Sequence, residues 1–132
     1  MTDLSSTHGA FSWNELMTTD IAGAKKFYGD LLDWQFEDMN LTMPYTLLKL
    51  GEEKAGGMMA MPDDAPPGMP SMWGSYVTVD DVDSISKKVE TLGGKIMHPP
   101  TDIPTVGRFC VIMDPQGAIL TLITYCSEDC SL

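Results

Sequence analysis

The second half of this chain repeats the first. A shift of 60 positions lays Trp73 on Trp13, Thr78 on Thr18, Asp80 on Asp20, Leu92 on Leu32, Pro104 on Pro44 and Gly117 on Gly57 without a gap. The order of local patterns returns as well, and that is the stronger sign of an internal duplication. In the first half, Phe11 to Met17 alternates as a strand does. Asp20 stands where a helix N-cap would, and Ile21, Ala24, Phe27, Tyr28, Leu31 and Leu32 follow at helical spacing. Trp34 to Met39, Tyr45 to Leu50 and Ala55 to Met61 then read as three strands, with Pro44 and Gly51-Glu52-Glu53 breaking the chain between them. This half is β-α-β-β-β.

Residues Pro62 to Pro70 are dense in Pro and Gly and form the clearest linker. Beyond it Trp73 to Val79 is a strand. Asp80 or Asp81 caps a helix with Val82, Ile85, Val89 and Leu92 on one face, and Gly93-Gly94 ends it. Lys95 to His98, Arg108 to Met113 and Ala118 to Tyr125 supply three more strands, the last two joined by the tight turn Asp114-Pro115-Gln116-Gly117. The division expected is a disordered leader (1–9), a first βαβββ module (10–61), a linker (62–71), a second βαβββ module (72–126) and a tail (127–132). Four strands make too small a sheet to stand alone, so the modules are expected to bury apolar faces together. The fold class is α+β, two tandem βαβββ modules forming a cupped, mixed eight-stranded sheet.

Composition narrows the partners. Nineteen acidic against eight basic side chains give a formal charge of −11, so a polyanion such as nucleic acid is not an expected partner. No run of ~20 apolar residues exists to span a membrane. No basic start with an apolar run marks a signal peptide, and a cytoplasmic protein is expected. Three cysteines, Cys110, Cys126 and Cys130, cannot close a disulfide framework. Cys126 and Cys130 flank Ser-Glu-Asp without partner ligands for zinc, and Cys110 reads as a core thiol. Eleven methionines are the oddity. Met58, Met59, Met61, Met69 and Met72 cluster, and flexible thioethers suit either an irregular core or the wall of a ligand cavity.

The duplicated βαβββ pattern resembles the vicinal oxygen chelate superfamily, which includes glyoxalase I, extradiol dioxygenases and bleomycin-resistance proteins. The matching residues run from Phe11 to Tyr125. They include Phe27-Tyr28, Leu32-Asp33-Trp34, Val79-Asp80-Asp81-Val82, Gly93-Gly94-Lys95 and Asp114-Pro115-Gln116-Gly117. A glyoxalase-like or hydroxylase-like subgroup is the nearest in pattern, through Trp13-Asn14-Glu15, Gly56-Gly57-Met58, Pro99-Pro100-Thr101-Asp102-Ile103-Pro104 and Val106-Gly107-Arg108-Phe109. The resemblance implies a cup with metal ligands, His or Glu, on the first and last strand of each module. Counting along that pattern, the ligand positions carry Trp13, Gly74, Thr121 and a residue within Gly57 to Met61. None is a strong ligand for a divalent ion, so no metal and no cofactor are expected. His8, in the leader, and His98, at a strand end, read as surface histidines.

Glu15 is the catalytic candidate. Alternation sets Phe11, Trp13, Glu15 and Met17 on one strand face, and the resemblance turns Trp13 and Glu15 into the cup. A carboxylate beside an indole is desolvated, which favours its protonated form and suits it to exchange protons near neutrality. The ligand-binding candidates are Trp13, Trp73, Tyr45 and Tyr76 as aromatic walls, Met59 and Met61 from the methionine cluster, and Thr121 from the resemblance. Arg108, the single arginine, could fork onto a ligand's anionic group or form a salt bridge, with Asp102 a weaker candidate nearby. The function expected is a metal-independent lyase or isomerase working through Glu15. One alternative is a binding protein that sequesters a small apolar or aromatic molecule. Another is a metal-dependent dioxygenase or lyase with unrecognised ligands. A homodimer is expected from the resemblance.

Overall fold

A computed structural model describes residues 3–40, 44–63 and 65–126. The elements are β1 (Phe11–Thr18), α1 (Ile21–Leu32), β2 (Gln35–Asn40), β3 (Pro44–Leu50), β4 (Glu53–Ala60), β5 (Met72–Thr78), α2 (Val82–Val89), β6 (Lys95–Ile103), β7 (Gly107–Met113) and β8 (Ile119–Tyr125). Eight strands of mixed sheet and two helices give the α+β class, with the βαβββ order occurring twice. The chain divides into two compact units, one of Trp13–Gly74 and one combining residues before 13 with those after 74.

In the unit Trp13–Gly74 the strand order is β2-β3-β4-β1. The hairpins β2–β3 and β3–β4 are antiparallel, whereas β4 returns to pair in parallel with β1. Two rows of side chains across β3, β4 and β1 follow from the register. Thr46, Met58 and Leu16 form one row, on one face. Leu47, Gly57 and Glu15 form the next, on the other face. Met58 is fully buried at 0% exposure and centres the first row. Asp20 caps α1 by accepting from the Gly23 N–H at 2.9 Å. The helix half-buries Ile21, Ala24, Lys25 and Tyr28, an i, i+3, i+4, i+7 stripe. Phe27, Leu31 and Leu32 stay exposed. The six apolar positions read from the sequence thus cover a wider arc than this stripe.

The second unit has the matching order β5-β8-β7-β6, with β5 and β8 parallel and the remaining pairs antiparallel. Its core is Val77, Val79, Val82, Cys110 and Leu122, with Ile85, Ile112 and Leu120 packed against it. Burial, with Asp83 nearby, pushes the Cys110 thiol above its ordinary pKa, as befits a core group. Of the two capping candidates, Asp81 is the cap, accepting from the Asp83 and Ser84 N–H groups. The helix ends at Val89 rather than at Gly93-Gly94. The glycines form the turn beyond it, in which the Gly94 N–H reaches the Val89 carbonyl at 2.9 Å. Leu92, expected on the packed face, is therefore 74% exposed. Strand β6 extends past His98 through Pro99-Pro100 to Ile103. It tolerates those prolines because it lies at the end of the strand order and is bulged around them. Asp114 Oδ1 accepts from the Gln116 and Ala118 N–H groups, and Gly117 takes the left-handed backbone (φ 94°) that closes the β7–β8 turn.

The structural repeat departs from the gap-free shift. Asp81, not Asp80, takes the role of Asp20. Glu15 pairs with Gly57 where Tyr76 pairs with Thr121, so the offset is 61 at the first strand and 64 at the last. Gly117, which the shift set on Gly57, lies in a turn instead. The residues expected to be a disordered leader are ordered from Asp3 onward. Asp3 caps a single 3-10 turn, Leu4–Ser6. The Thr78 hydroxyl donates to the Leu4 carbonyl at 2.9 Å and the Asp80 N–H donates to His8 Nδ1 at 2.9 Å. This segment straps onto the second unit. The tail 127–132, with Cys130, lies outside the described residues. Among those described, no helix is long and apolar enough to cross a membrane.

The Asp81 cap sets a pH response. Its carboxyl is held below the ordinary value of 3.8, first by the Ser84 hydroxyl and then by the Ser84 N–H. A carboxyl depressed on folding contributes stability above its unfolded pKa, and loses that contribution as pH falls through the lower folded value. Thermal melts of Asp81→Asn should therefore lose less stability than wild type on acidification from about pH 5 to about pH 2.5. Equal losses in the two proteins would contradict this role.

Candidate functional site

The exposed-core problem in the first unit is Glu15. Its side chain is only 8% exposed, and a buried carboxylate must be met by hydrogen-bond donors or it carries a large desolvation cost. Tyr45 supplies one. Its phenol donates to Glu15 Oε2 at 2.6 Å, within the range of O–H bonds to an ionised acceptor. The phenol oxygen in turn accepts from the Trp13 indole N–H at 3.0 Å. Three residues singled out from the sequence thus form one chain of hydrogen bonds, Trp13 to Tyr45 to Glu15, from the middle of β1 and the start of β3.

Gly57 makes this chain possible. Tyr45 lies two residues before Leu47, and Leu47 and Glu15 are the register partners of Gly57 on either side. The Tyr45 side chain therefore crosses over β4 to reach β1. A Cβ at Gly57 would overlap the Tyr45 phenol oxygen. The sequence reading gave Gly56-Gly57 a close backbone approach or a bulge; at Gly56 a Cβ would meet the Asn14 carbonyl of the neighbouring strand, and at Gly57 the close approach is that of a side chain.

Tyr45 also borders a hollow of about 700 Å³. The lining includes Met39, Met58, Met59, Met61 and Ile21 on apolar walls, with Lys25, Asp38 and Thr46 as polar ones. The methionine cluster is thus divided: Met58, Met59 and Met61 reach the hollow while Met69 and Met72 are exposed elsewhere. Lys25 Nζ and the Thr46 hydroxyl both donate to Asp38 Oδ1, at 2.7 and 2.9 Å. Those two bonds, Lys25 first, hold the Asp38 carboxyl below the ordinary carboxylate range. Lys25, Asp38 and Thr46 carry no signal of their own in the sequence, because three different elements bring them together.

The other candidates lie apart. Trp73 donates from its indole to the Tyr28 hydroxyl at 3.1 Å and meets Trp34 edge-on. With Trp34, Leu48 and Leu50 it borders a smaller hollow of about 310 Å³. Tyr76 and Thr121 are register partners in the second unit. Arg108 is one residue out of phase with Phe109 and shares the Cys110 face, where its guanidinium forks onto Asp83 (2.9 and 3.1 Å) and reaches Asp102 (2.9 Å). Those carboxylates raise its pKa further, and the fork is the salt bridge that the sequence reading allowed. His98 stacks on Phe109 with ring centroids 5.2 Å apart.

The metal set implied by the resemblance does not fit these residues. Trp13 presents an indole N–H that is already a donor to Tyr45, and a donor N–H is no ligand. Gly74 has no side chain, Gly57 stands beside Glu15, and Thr121 offers only a hydroxyl. Among the described residues no three His, Cys, Asp or Glu side chains converge.

Comparison with known proteins gives a consistent picture. The family model "Glyoxalase/Bleomycin resistance protein/Dioxygenase superfamily" matches residues 10–122. A Mycobacterium tuberculosis protein bearing the provisional name glyoxylase CFP32 is 40% identical over 117 residues, covering 86% of this chain and 45% of that protein. The anthracycline biosynthesis protein DnrV of Streptomyces peucetius is 30% identical over 123 residues, covering 83% of this chain and 45% of its own length. This chain therefore spans about half the length of these relatives. Methylmalonyl-CoA epimerase from Mycobacterium tuberculosis shares the fold, with a TM-score of 0.67, 16% identity and coverage of 97% of this chain and 93% of that one.

The geometry makes a direct structural prediction. Tyr45→Phe should remove the hydrogen bond to a buried carboxylate and destabilise the protein by about 1–3 kcal/mol in a denaturant titration. Gly57→Ala should eject the phenol and shift the Trp13 indole proton resonance in the same direction as Tyr45→Phe. An unshifted resonance in both variants would mean that the chain of bonds is not formed.

Proposed function

The chain belongs to the glyoxalase/bleomycin resistance protein/dioxygenase superfamily, and from that premise we propose that it acts on a small organic molecule by proton transfer through Glu15, without a metal. One observation carries the reading: a buried carboxylate on a strand face, held by a phenol that is itself held by an indole. A carboxylate so oriented can take a proton from an acidic C–H next to a carbonyl; returning it to the same or a neighbouring carbon is isomerase chemistry, and loss of a leaving group from the adjacent carbon instead is lyase chemistry. Tyr45 orients the acceptor atom. Its hydrogen bond stabilises the anion and fixes the direction in which the other oxygen points. Among the described residues no set of His, Cys, Asp or Glu side chains matches a divalent ion.

A second reading is favoured by the methionine-lined hollow against Tyr45. It is of a size that takes a drug-sized ligand, and its thioethers suit an apolar or aromatic body. On this reading the protein binds and sequesters such a molecule without turning it over. DnrV, by its name, works in anthracycline biosynthesis, which agrees with an aromatic ligand on either reading. A homodimer in the cytoplasm completes the proposal, and light scattering at twice 14.5 kDa would bear out the dimer.

Glu15→Gln separates the readings. A bound carbonyl compound identified by quenching of tryptophan fluorescence should exchange its acidic C–H for deuterium in D2O with wild-type protein, including after chelator treatment. The variant should bind within about threefold and lose exchange by at least about 100-fold. Exchange retained in Glu15→Gln would overturn the catalytic role, and exchange lost on chelation alone would restore a metal.

A further inference from the structure

Resting on the reading of Glu15 as a proton-transferring base, we infer that the first unit takes a neutral, flat aromatic ketone laid across its strands, carbonyl end at β1 and ring end at β2. The register draws the seat. Met39 pairs with Tyr45, the step beyond Thr46 and Met58 sets Tyr45 against Met59, and Met59 pairs with Met17. These four side chains form one row over β2, β3, β4 and β1, on the sheet face that carries Glu15. Each is half-buried, so each still presents surface to a ligand. Three of the four are thioethers, which make favourable contacts with the edges of aromatic rings.

The neighbouring row fixes the direction and the charge. It runs Glu37, Leu47, Gly57, Glu15, so the buried carboxylate stands at the β1 end, one row away from Met17. The Tyr45 ring leans from its own row over Gly57, and its hydroxyl donates to Glu15. The apolar floor is therefore continuous up to the base. A substrate's acidic C–H belongs at the β1 end, and its body extends over Met59 and Tyr45 toward Met39. That span is three strand spacings, roughly 14 Å, which accommodates linearly fused rings. Among the described residues, the two rows hold two carboxylates, Glu15 and Glu37, and no cation. An anionic group on the body is disfavoured there.

A ring series tests both length and direction. Acetophenone, 2-acetylnaphthalene and 2-acetylanthracene share one acetyl group and grow at the opposite end. Wild-type protein, followed by quenching of tryptophan fluorescence, should bind about fivefold more tightly with each added ring. It should bind 6-acetyl-2-naphthoic acid at least about tenfold more weakly than 2-acetylnaphthalene. Met39→Ala should weaken 2-acetylanthracene at least about fivefold and leave acetophenone within about twofold, because only the longest body reaches β2. Met17→Ala should weaken all three. Should either variant fail to fold by circular dichroism, the ring series and its charged member still decide the matter on wild type. Glu15→Gln should keep the ranking while losing deuterium exchange of the acetyl C–H. A ranking without exchange in wild type would overturn the base and support the seat, and exchange without a ranking would do the reverse. Equal affinity across the series, tight binding of the acid, or a Met39→Ala loss shared by acetophenone would overturn the inference.

Discussion

The first unit is organised around burying a carboxylate. Glu15 lies in the middle of a strand at 8% exposure, where an uncompensated charge would cost more than one side chain's worth of packing could offset. The compensation comes from across the sheet. It requires a residue on β3 long enough to set a donor over β4, one strand spacing or roughly 5 Å away, where the Glu15 carboxylate meets it, and a gap on β4 to seat it. Tyr45 and Gly57 meet those requirements together. Neither has its role without the other, because a phenol in that position excludes a Cβ and a glycine alone supplies no donor.

Duplication followed by divergence is visible at this point. In the second unit Tyr76 stands where Glu15 does, and Thr121 where Gly57 does. Phe109, two residues before the Thr121 partner Val111, takes the place of Tyr45. The carboxylate, its donor and the gap are all absent from that repeat. A phenylalanine has no hydrogen to donate, and a β-branched threonine leaves no passage. The polar machinery therefore resides in one copy of a twice-used scaffold, and the second copy keeps an apolar core of Val77, Val79, Val82, Cys110 and Leu122.

Much of this could be read from the residues in order. Strand alternation, the Asp20 cap and the turn at Asp114 follow from local chemistry, and every strand but β6, which runs five residues past its expected end, was located within a few residues of its ends. Glu15, Trp13, Tyr45, Met59 and Met61 were singled out by residue type and face. Their grouping was not legible, because it depends on register: only the pairing of Glu15 with Gly57 and of Gly57 with Leu47 shows that Tyr45 reaches Glu15. The end of α2 was misplaced because Val82, Ile85, Val89 and Leu92 keep helical spacing through the turn at Glu90–Gly94, and periodicity alone cannot see the backbone leave the helix. Trp73 has the composition of a pocket wall, yet its indole finds a closer partner in Tyr28.

An indole at the corner where the resemblance sets a metal ligand has a chemical consequence. A divalent cation bound to a carboxylate draws off its electron density and lowers its basicity, which suits a ligand but not a base. At Trp13 the same corner instead donates a hydrogen bond into the phenol that holds Glu15. Hydrogen bonds in series polarise one another, so the indole strengthens the phenol as a donor. The carboxylate is fixed in place by these bonds in series. In this unit the position that the resemblance gives to a metal ligand holds the donor at the head of the hydrogen-bond chain.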